Sequence, residues 1–358
     1  MTPDRPARRE ALREVVQWAP QGAACEVDLS DNTNLFGAPP AATAVLRSAR
    51  DTEATRYPTP YSDALREALA HFHGVTAERV ITGCGSDAVI DAALRAFTQP
   101  GERLAFPDPT FSMIPAFARI NGLEPVPIAC AGSPDTPIVR ALFETGARIV
   151  YLCSPNNPTG ASMSAGAWET ARECLRASAV SPSLLSLDQA YTEFDAPCTP
   201  APRDLRDSEP VLLTRTMSKA FGLAGLRVGY GIGPAPIIAE MLKVRGPYTV
   251  GALAERAAVA ALTEDLPWVR AHALETIALR ERFAAALLAA GFAPLPSAAN
   301  FVLVPVRSAA TADAQLRHAG VAVRALSGLT GIGDALRITI GPWPLLETCL
   351  IALKGIRA

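Results

Sequence analysis

Leu213-Thr-Arg-Thr-Met-Ser-Lys-Ala-Phe-Gly-Leu-Ala-Gly-Leu-Arg-Val-Gly-Tyr230 sets one lysine in unusual company. The chain holds three lysines against 30 arginines, so Lys219 stands out. Val211-Leu-Leu213 reads as a buried strand, and Thr216 and Ser218 place hydroxyls just after it. Arg227 follows beyond a Gly-Leu-Ala-Gly break. A lysine at the surface start of a helix needs none of these neighbours. An amine beside two hydroxyls and a guanidinium suits a ligand that carries both an aldehyde and a phosphate. The amine forms a Schiff base, and the hydroxyls and the arginine's fork of donors hold the phosphate.

Outward from this stretch, residues 80–82, 103–106, 124–128, 149–153, 183–187 and 211–214 read as short apolar strands with helical patterns between them. That alternation predicts an α/β layer with a mostly parallel sheet, and ligands in such layers sit at the carboxyl ends of the strands. After Gly246 the pattern changes to long alanine-rich helices over 249–262 and 268–290. Strands at 300–306, 321–325 and 335–339 then mix with helices at 311–319 and 345–353, which predicts a smaller α+β domain. The expected division is an N-terminal arm, 1–35, packing near the small domain; a large domain, 36–248; and an interdomain helix with the small domain, 249–358.

Polar segments follow the predicted strands. Gly83-Cys-Gly-Ser-Asp87 is a glycine-rich turn that opens a helix and offers free N–H groups to an anion, although Ser86 or Asp87 would equally serve as a plain cap. Ser154-Pro-Asn-Asn-Pro-Thr-Gly160, taken alone, is a surface turn. Asp188 follows an apolar run, and a buried aspartate is costly without a partner.

Composition excludes other classes. A net charge of -2 with a pI near 6.1 offers no nucleic-acid surface. No apolar run reaches membrane-spanning length, and the first ten residues lack the apolar core of a signal peptide, so a cytoplasmic protein is expected. Seven cysteines, widely spaced and without a Cys-x-x-Cys pair, argue against a metal site or disulfide framework. His71 and His73 read as helix surface and helix end.

Ser218-Lys219-Ala-Phe-Gly-Leu-Ala-Gly-Leu-Arg227-Val-Gly229 resembles the cofactor-lysine motif of fold-type I pyridoxal-phosphate aminotransferases. With the other motifs in the same order, the resemblance covers nearly the whole chain. It is strongest to the histidinol-phosphate aminotransferase branch, which also contains aromatic amino acid aminotransferases and the threonine-phosphate decarboxylase. The resemblance implies an α/β fold in which a large domain holds a mainly parallel seven-stranded sheet beside a smaller α+β domain. It implies pyridoxal 5'-phosphate on Lys219, which also moves the Cα proton. Asn157 and Tyr191 would hold the phenolic oxygen, and Asp188 the pyridine nitrogen. Phe111 would stack on the ring, where many relatives have tyrosine. Ser86, Asp87, Thr216, Ser218 and Arg227 would hold the phosphate. Tyr57 would reach the cofactor phosphate of the neighbouring subunit, which implies a homodimer with shared active sites.

On the substrate side the resemblance implies that Arg337 binds the acidic end, with Arg324 as a second positive group. Asn34, in the unusually worded Asp31-Asn-Thr-Asn34-Leu-Phe-Gly37, is the expected contact from the N-terminal stretch. Trp18 stands where relatives often offer a tyrosine. Two arginines match a dianion, so the expected reaction is transamination of L-histidinol phosphate with 2-oxoglutarate, a step of histidine biosynthesis. An aromatic or other amino acid donor is the alternative, and threonine-phosphate decarboxylation a third possibility.

Overall fold

The computed structural model describes residues 9–13, 15, 17, 25–177, 184–195 and 200–357. Its strands are β1 (Val27–Asp28), β2 (Val80–Cys84), β3 (Arg103–Asp108), β4 (Glu124–Ala129), β5 (Ile149–Cys153), β6 (Leu184–Asp188), β7 (Val211–Thr216), β8 (Val228–Ile232), β9 (Phe301–Pro305), β10 (Val321–Ala322), β11 (Arg324–Leu329) and β12 (Gly333–Thr339). Seven of them form one sheet in the order β2-β8-β7-β6-β5-β3-β4. Only β8 runs against its neighbours, so β2 points the same way as β3 to β7.

Both faces of this sheet are covered, which is why its inner strands β5, β6 and β7 read as apolar runs. In β5, Ile149, Tyr151 and Cys153 join one buried cluster, while Val150 and Leu152 join the cluster on the other face. The sequence reading names six strands for this sheet and misses β8. Its Val-Gly-Tyr-Gly-Ile run has two glycines and little apolar patterning. Gly229 has a packing reason: a Cβ there would fall on the backbone of Gly85 and Ser86, far inside van der Waals contact. Glycine therefore lets the start of the helix Gly85–Phe97 close onto β8. The helix Ala235–Val244 is also absent from the sequence reading.

The smaller unit has an antiparallel sheet, β11-β12-β9, and a parallel pair, β1-β10. Val27 and Leu29 of the N-terminal segment pack with Val302, Val304, Leu336 and Ile338 in its core. The single strand expected over 321–325 divides in two, because Val321–Ala322 pairs with β1 while Arg324 onward pairs with β12. His73 ends its helix as expected but is buried, with Nε2 3.0 Å from the Tyr230 hydroxyl. Burial, reinforced by Arg215, pushes its pKa down to about 3, so it stays neutral.

Candidate active site

The carboxyl ends of β2, β3, β5, β6 and β7 open on one side of the large sheet. A cavity of about 440 Å³ lies there, walled on its far side by β11, β12 and residues 31–32. It gathers Ser86, Asp87, Phe111, Asn157, Asp188, Tyr191, Thr216, Ser218, Lys219, Arg227, Arg324 and Arg337, residues scattered over 252 positions of sequence.

Asp188, the last residue of β6, is 3% exposed. The Tyr151 hydroxyl donates to its Oδ2 (2.9 Å) and the Ala190 amide to its Oδ1 (3.0 Å). Burial dominates these hydrogen bonds and raises its pKa to about 6. A carboxylate held in this way is stabilised by any cation that enters the cavity beside it. Tyr151 is missed by the sequence reading, since a tyrosine inside an apolar strand looks like core.

Lys219 Nζ donates to the Asp31 carbonyl (3.2 Å) and lies 5.8 Å from the centre of the Tyr191 ring. Burial first, then the charges of Arg337 and Arg227, pushes its pKa down to about 8. At pH 7 about a tenth of the amine is then neutral, far more than for an unshifted lysine. The Tyr191 hydroxyl accepts from Asn32 Nδ2 (3.1 Å).

At the other end of the cavity, Ser86 and Asp87 sit in the first turn of the helix Gly85–Phe97, facing Thr216, Ser218 and Arg227. Thr216 Oγ1 lies 3.0 Å from Ser218 Oγ, and Arg227 Nη2 lies 3.4 Å from Asp87 Oδ2. A Cβ at Gly85 would stand 2.5 Å from Arg227 Nη2, so glycine keeps room for the guanidinium. Arg227 itself has φ 53°, a left-handed conformation that costs a non-glycine residue about 1–3 kcal/mol and clusters at functional sites.

Arg324 and Arg337 are directly opposed across β11 and β12. Arg337 Nη1 donates to Asn157 Oδ1 (2.7 Å) and Nη2 to the Ser30 carbonyl (2.8 Å), while its Nε is buried without a partner. Arg324 pairs with the Asp31 carboxylate.

Two expected residues do not line this cavity. Asn34 is turned away: its Nδ2 donates to the Ala220 carbonyl (3.0 Å) and its Oδ1 accepts from the Phe36 amide (3.0 Å). Asp31 and Asn32 take the cavity wall instead, and the sequence offers no signal to choose among four neighbouring polar residues. Tyr57 is 84% exposed and stacks on Tyr248, ring centres 4.8 Å apart. Trp18 lies outside the described residues. Leu326 and Leu329, not anticipated from sequence, add an apolar wall.

Residues 26–353 match the family model for aminotransferase class I and II. The chain belongs to this aminotransferase family. It is a pyridoxal-phosphate enzyme of fold type I, and it is 35% identical to a histidinol-phosphate aminotransferase of Granulibacter bethesdensis over 339 residues, 93% of this chain and 89% of that one. It is 36% identical to an aromatic amino acid aminotransferase of Corynebacterium glutamicum over 301 residues, 83% of this chain and 85% of that one. Its fold matches the histidinol-phosphate aminotransferase of Sinorhizobium meliloti, solved with pyridoxal 5'-phosphate, with a TM-score of 0.88, 24% identity and 99% of each chain covered.

The cavity fits that cofactor on physical grounds. Asp188 is a buried carboxylate suited to a cationic ring nitrogen, a helix start with an arginine and two hydroxyls suits a phosphate, and a lysine amine of lowered pKa lines the same cavity. Among the described residues, no group of three His, Cys, Asp or Glu side chains is placed to hold a metal, and no helix is long and apolar enough to cross a membrane.

Proposed function

We propose that this aminotransferase takes the amino group of L-histidinol phosphate and passes it to 2-oxoglutarate, leaving imidazole acetol phosphate and L-glutamate. The observation that carries this reading is the opposed pair Arg324 and Arg337 on the wall of a lysine-containing cavity. Two cations face to face repel each other unless an anion lies between them. A phosphate ester, with two charges and several acceptor oxygens, meets both forks of donors better than a single carboxylate does.

When bound, pyridoxal phosphate supplies a carbonyl that condenses with primary amines and a ring that accepts the electron pair left at the substrate's Cα. The residues of the chain do the rest. Asp188 holds the proton on the ring nitrogen. Asn157, whose Oδ1 is already taken by Arg337, keeps its amide N–H groups for the phenolic oxygen, alongside Tyr191. Phe111 covers one face of the ring. Ser86, Asp87, Thr216, Ser218 and Arg227 hold the phosphate. Arg337 and Arg324 grip the donor's anionic end and so orient Cα toward Lys219. Lys219 Nζ takes the Cα proton, and its depressed pKa makes the neutral base available near pH 7. The working enzyme is read as a cytoplasmic homodimer in which Tyr57 reaches the partner's cofactor phosphate. Its exposure and its stacking on Tyr248 support this reading.

A second reading, an aromatic amino acid as donor, is favoured by the Asp31–Arg324 ion pair, which offsets one of the two positive charges. The variant Arg324→Gln separates the two. It is expected to lower kcat/KM for L-histidinol phosphate at least about tenfold more than for phenylalanine, since a charge-assisted hydrogen bond is lost only where a dianion is held. Equal losses on both donors would favour the second reading.

A further inference from the structure

Residues 30–31 meet all three cations on the substrate side of the cavity. The Ser30 carbonyl accepts from Arg337, the Asp31 carbonyl from Lys219, and the Asp31 carboxylate pairs with Arg324. Only the last of these contacts uses a side chain. We infer that Asp31 is an internal counter-ion of the arginine pair, displaced when a dianionic substrate end binds, and that it sets the selectivity of this subsite. The inference rests on the reading that Arg324 and Arg337 hold the substrate's anionic end.

Charge and exposure carry the argument. Arg324 and Arg337 face each other in register, and among the described residues no carboxylate pairs with Arg337. Asp31 thus carries a carboxylate placed to offset their repulsion. The two partners differ in setting: the Asp31 side chain is 57% exposed, that of Arg324 14%. An ion pair with one partner largely in water is weak, so the carboxylate can leave for solvent at small cost while Arg324 stays in the wall. With Asp31 in place the pair carries one net positive charge, which fits a single carboxylate. With Asp31 turned out it carries two, which fits a phosphate ester. One site can then serve a dianionic donor and a carboxylate-bearing acceptor in turn. The Asp31 carboxylate pairs with Arg324, while the contact of Asp31 with Lys219 is made by its backbone carbonyl and survives a change of side chain.

The test titrates inorganic phosphate calorimetrically into the pyridoxal-phosphate-loaded enzyme, whose cofactor phosphate already fills the Arg227 end. Four proteins are compared: the unaltered chain, Asp31→Asn, Arg324→Gln and the double variant. Asp31→Asn is expected to bind phosphate about three- to fivefold more tightly, and in the Arg324→Gln background the same change is expected to alter affinity less than about twofold. Asp31→Ser, which also lacks the charge, is expected to match Asp31→Asn and guards against a folding defect. Equal phosphate affinity with and without the Asp31 carboxylate would overturn the counter-ion role while leaving the arginine subsite standing. A gain that persists without Arg324 would overturn it as well. Absence of phosphate binding in all four proteins would overturn the arginine subsite, and this inference with it.

Discussion

Lys219 is set apart by its surroundings. An exposed lysine is protonated until pH 10 or above; in this one burial first, then the charges of Arg337 and Arg227, lowers the pKa to about 8. Because the shift favours the neutral form, the amine gains nucleophilicity as pH rises to about 8 and little beyond. The rate at which the cofactor-free protein captures pyridoxal phosphate is therefore expected to rise about tenfold per pH unit below 8 and then level off, as read by absorbance in stopped flow. A rate still climbing in proportion to hydroxide at pH 10 would mean an unshifted lysine. Asp188 carries the second residue-scale expectation. Asp188→Asn should keep the fold and lose about 100-fold or more in single-turnover rate, about 2.7 kcal/mol of transition-state stabilisation. Unchanged single-turnover chemistry would remove Asp188 from the site's chemistry.

Among the elements, β8 and the helix Gly85–Phe97 set the Arg227 end of the cavity through the close approach at Gly229. Gly229→Ala places a methyl against backbone that cannot rotate away, so the helix start must shift. A loss of about 1–3 kcal/mol in stability and at least about tenfold weaker cofactor binding are expected, read by thermal melting and by absorbance titration. Intact binding with normal stability would show that the approach is not constrained. This element also marks where the sequence stops being legible. Strands β5, β6 and β7 announce themselves as apolar runs closed by Ser154, Asp188 and Thr216, and the lysine motif follows directly. β8 does not, because two glycines erase its patterning and their purpose lies about 140 residues away. The same holds for Asp31 and Asn32. Periodicity places that stretch outside an element, and its path is fixed by distant partners: β10 beside β1, then Thr339 and Asn300 against Leu29 and Asn32. The opposition of Arg324 and Arg337 is likewise a matter of register, invisible until the hairpin between them is built.

For the whole molecule, the site joins a seven-stranded sheet to a smaller unit through Lys219 on one side and residues 31, 324 and 337 on the other. If Tyr57 completes the partner's site, two inactive variants should rescue each other. Lys219→Ala and Tyr57→Ala, unfolded and refolded together, are expected to regain activity through mixed dimers that hold one site with neither change. No recovery in a mixture shown to contain mixed dimers would mean that each chain builds its site alone. The central claim, that the arginine pair and Lys219 serve a phosphorylated amine, is tested most directly by offering the loaded enzyme L-histidinol phosphate, phenylalanine, tyrosine, aspartate and threonine phosphate, each with 2-oxoglutarate, and measuring glutamate and carbon dioxide. Glutamate formation with the highest kcat/KM for L-histidinol phosphate is the expected result. A higher kcat/KM for phenylalanine or tyrosine, or carbon dioxide from threonine phosphate without glutamate, would contradict it.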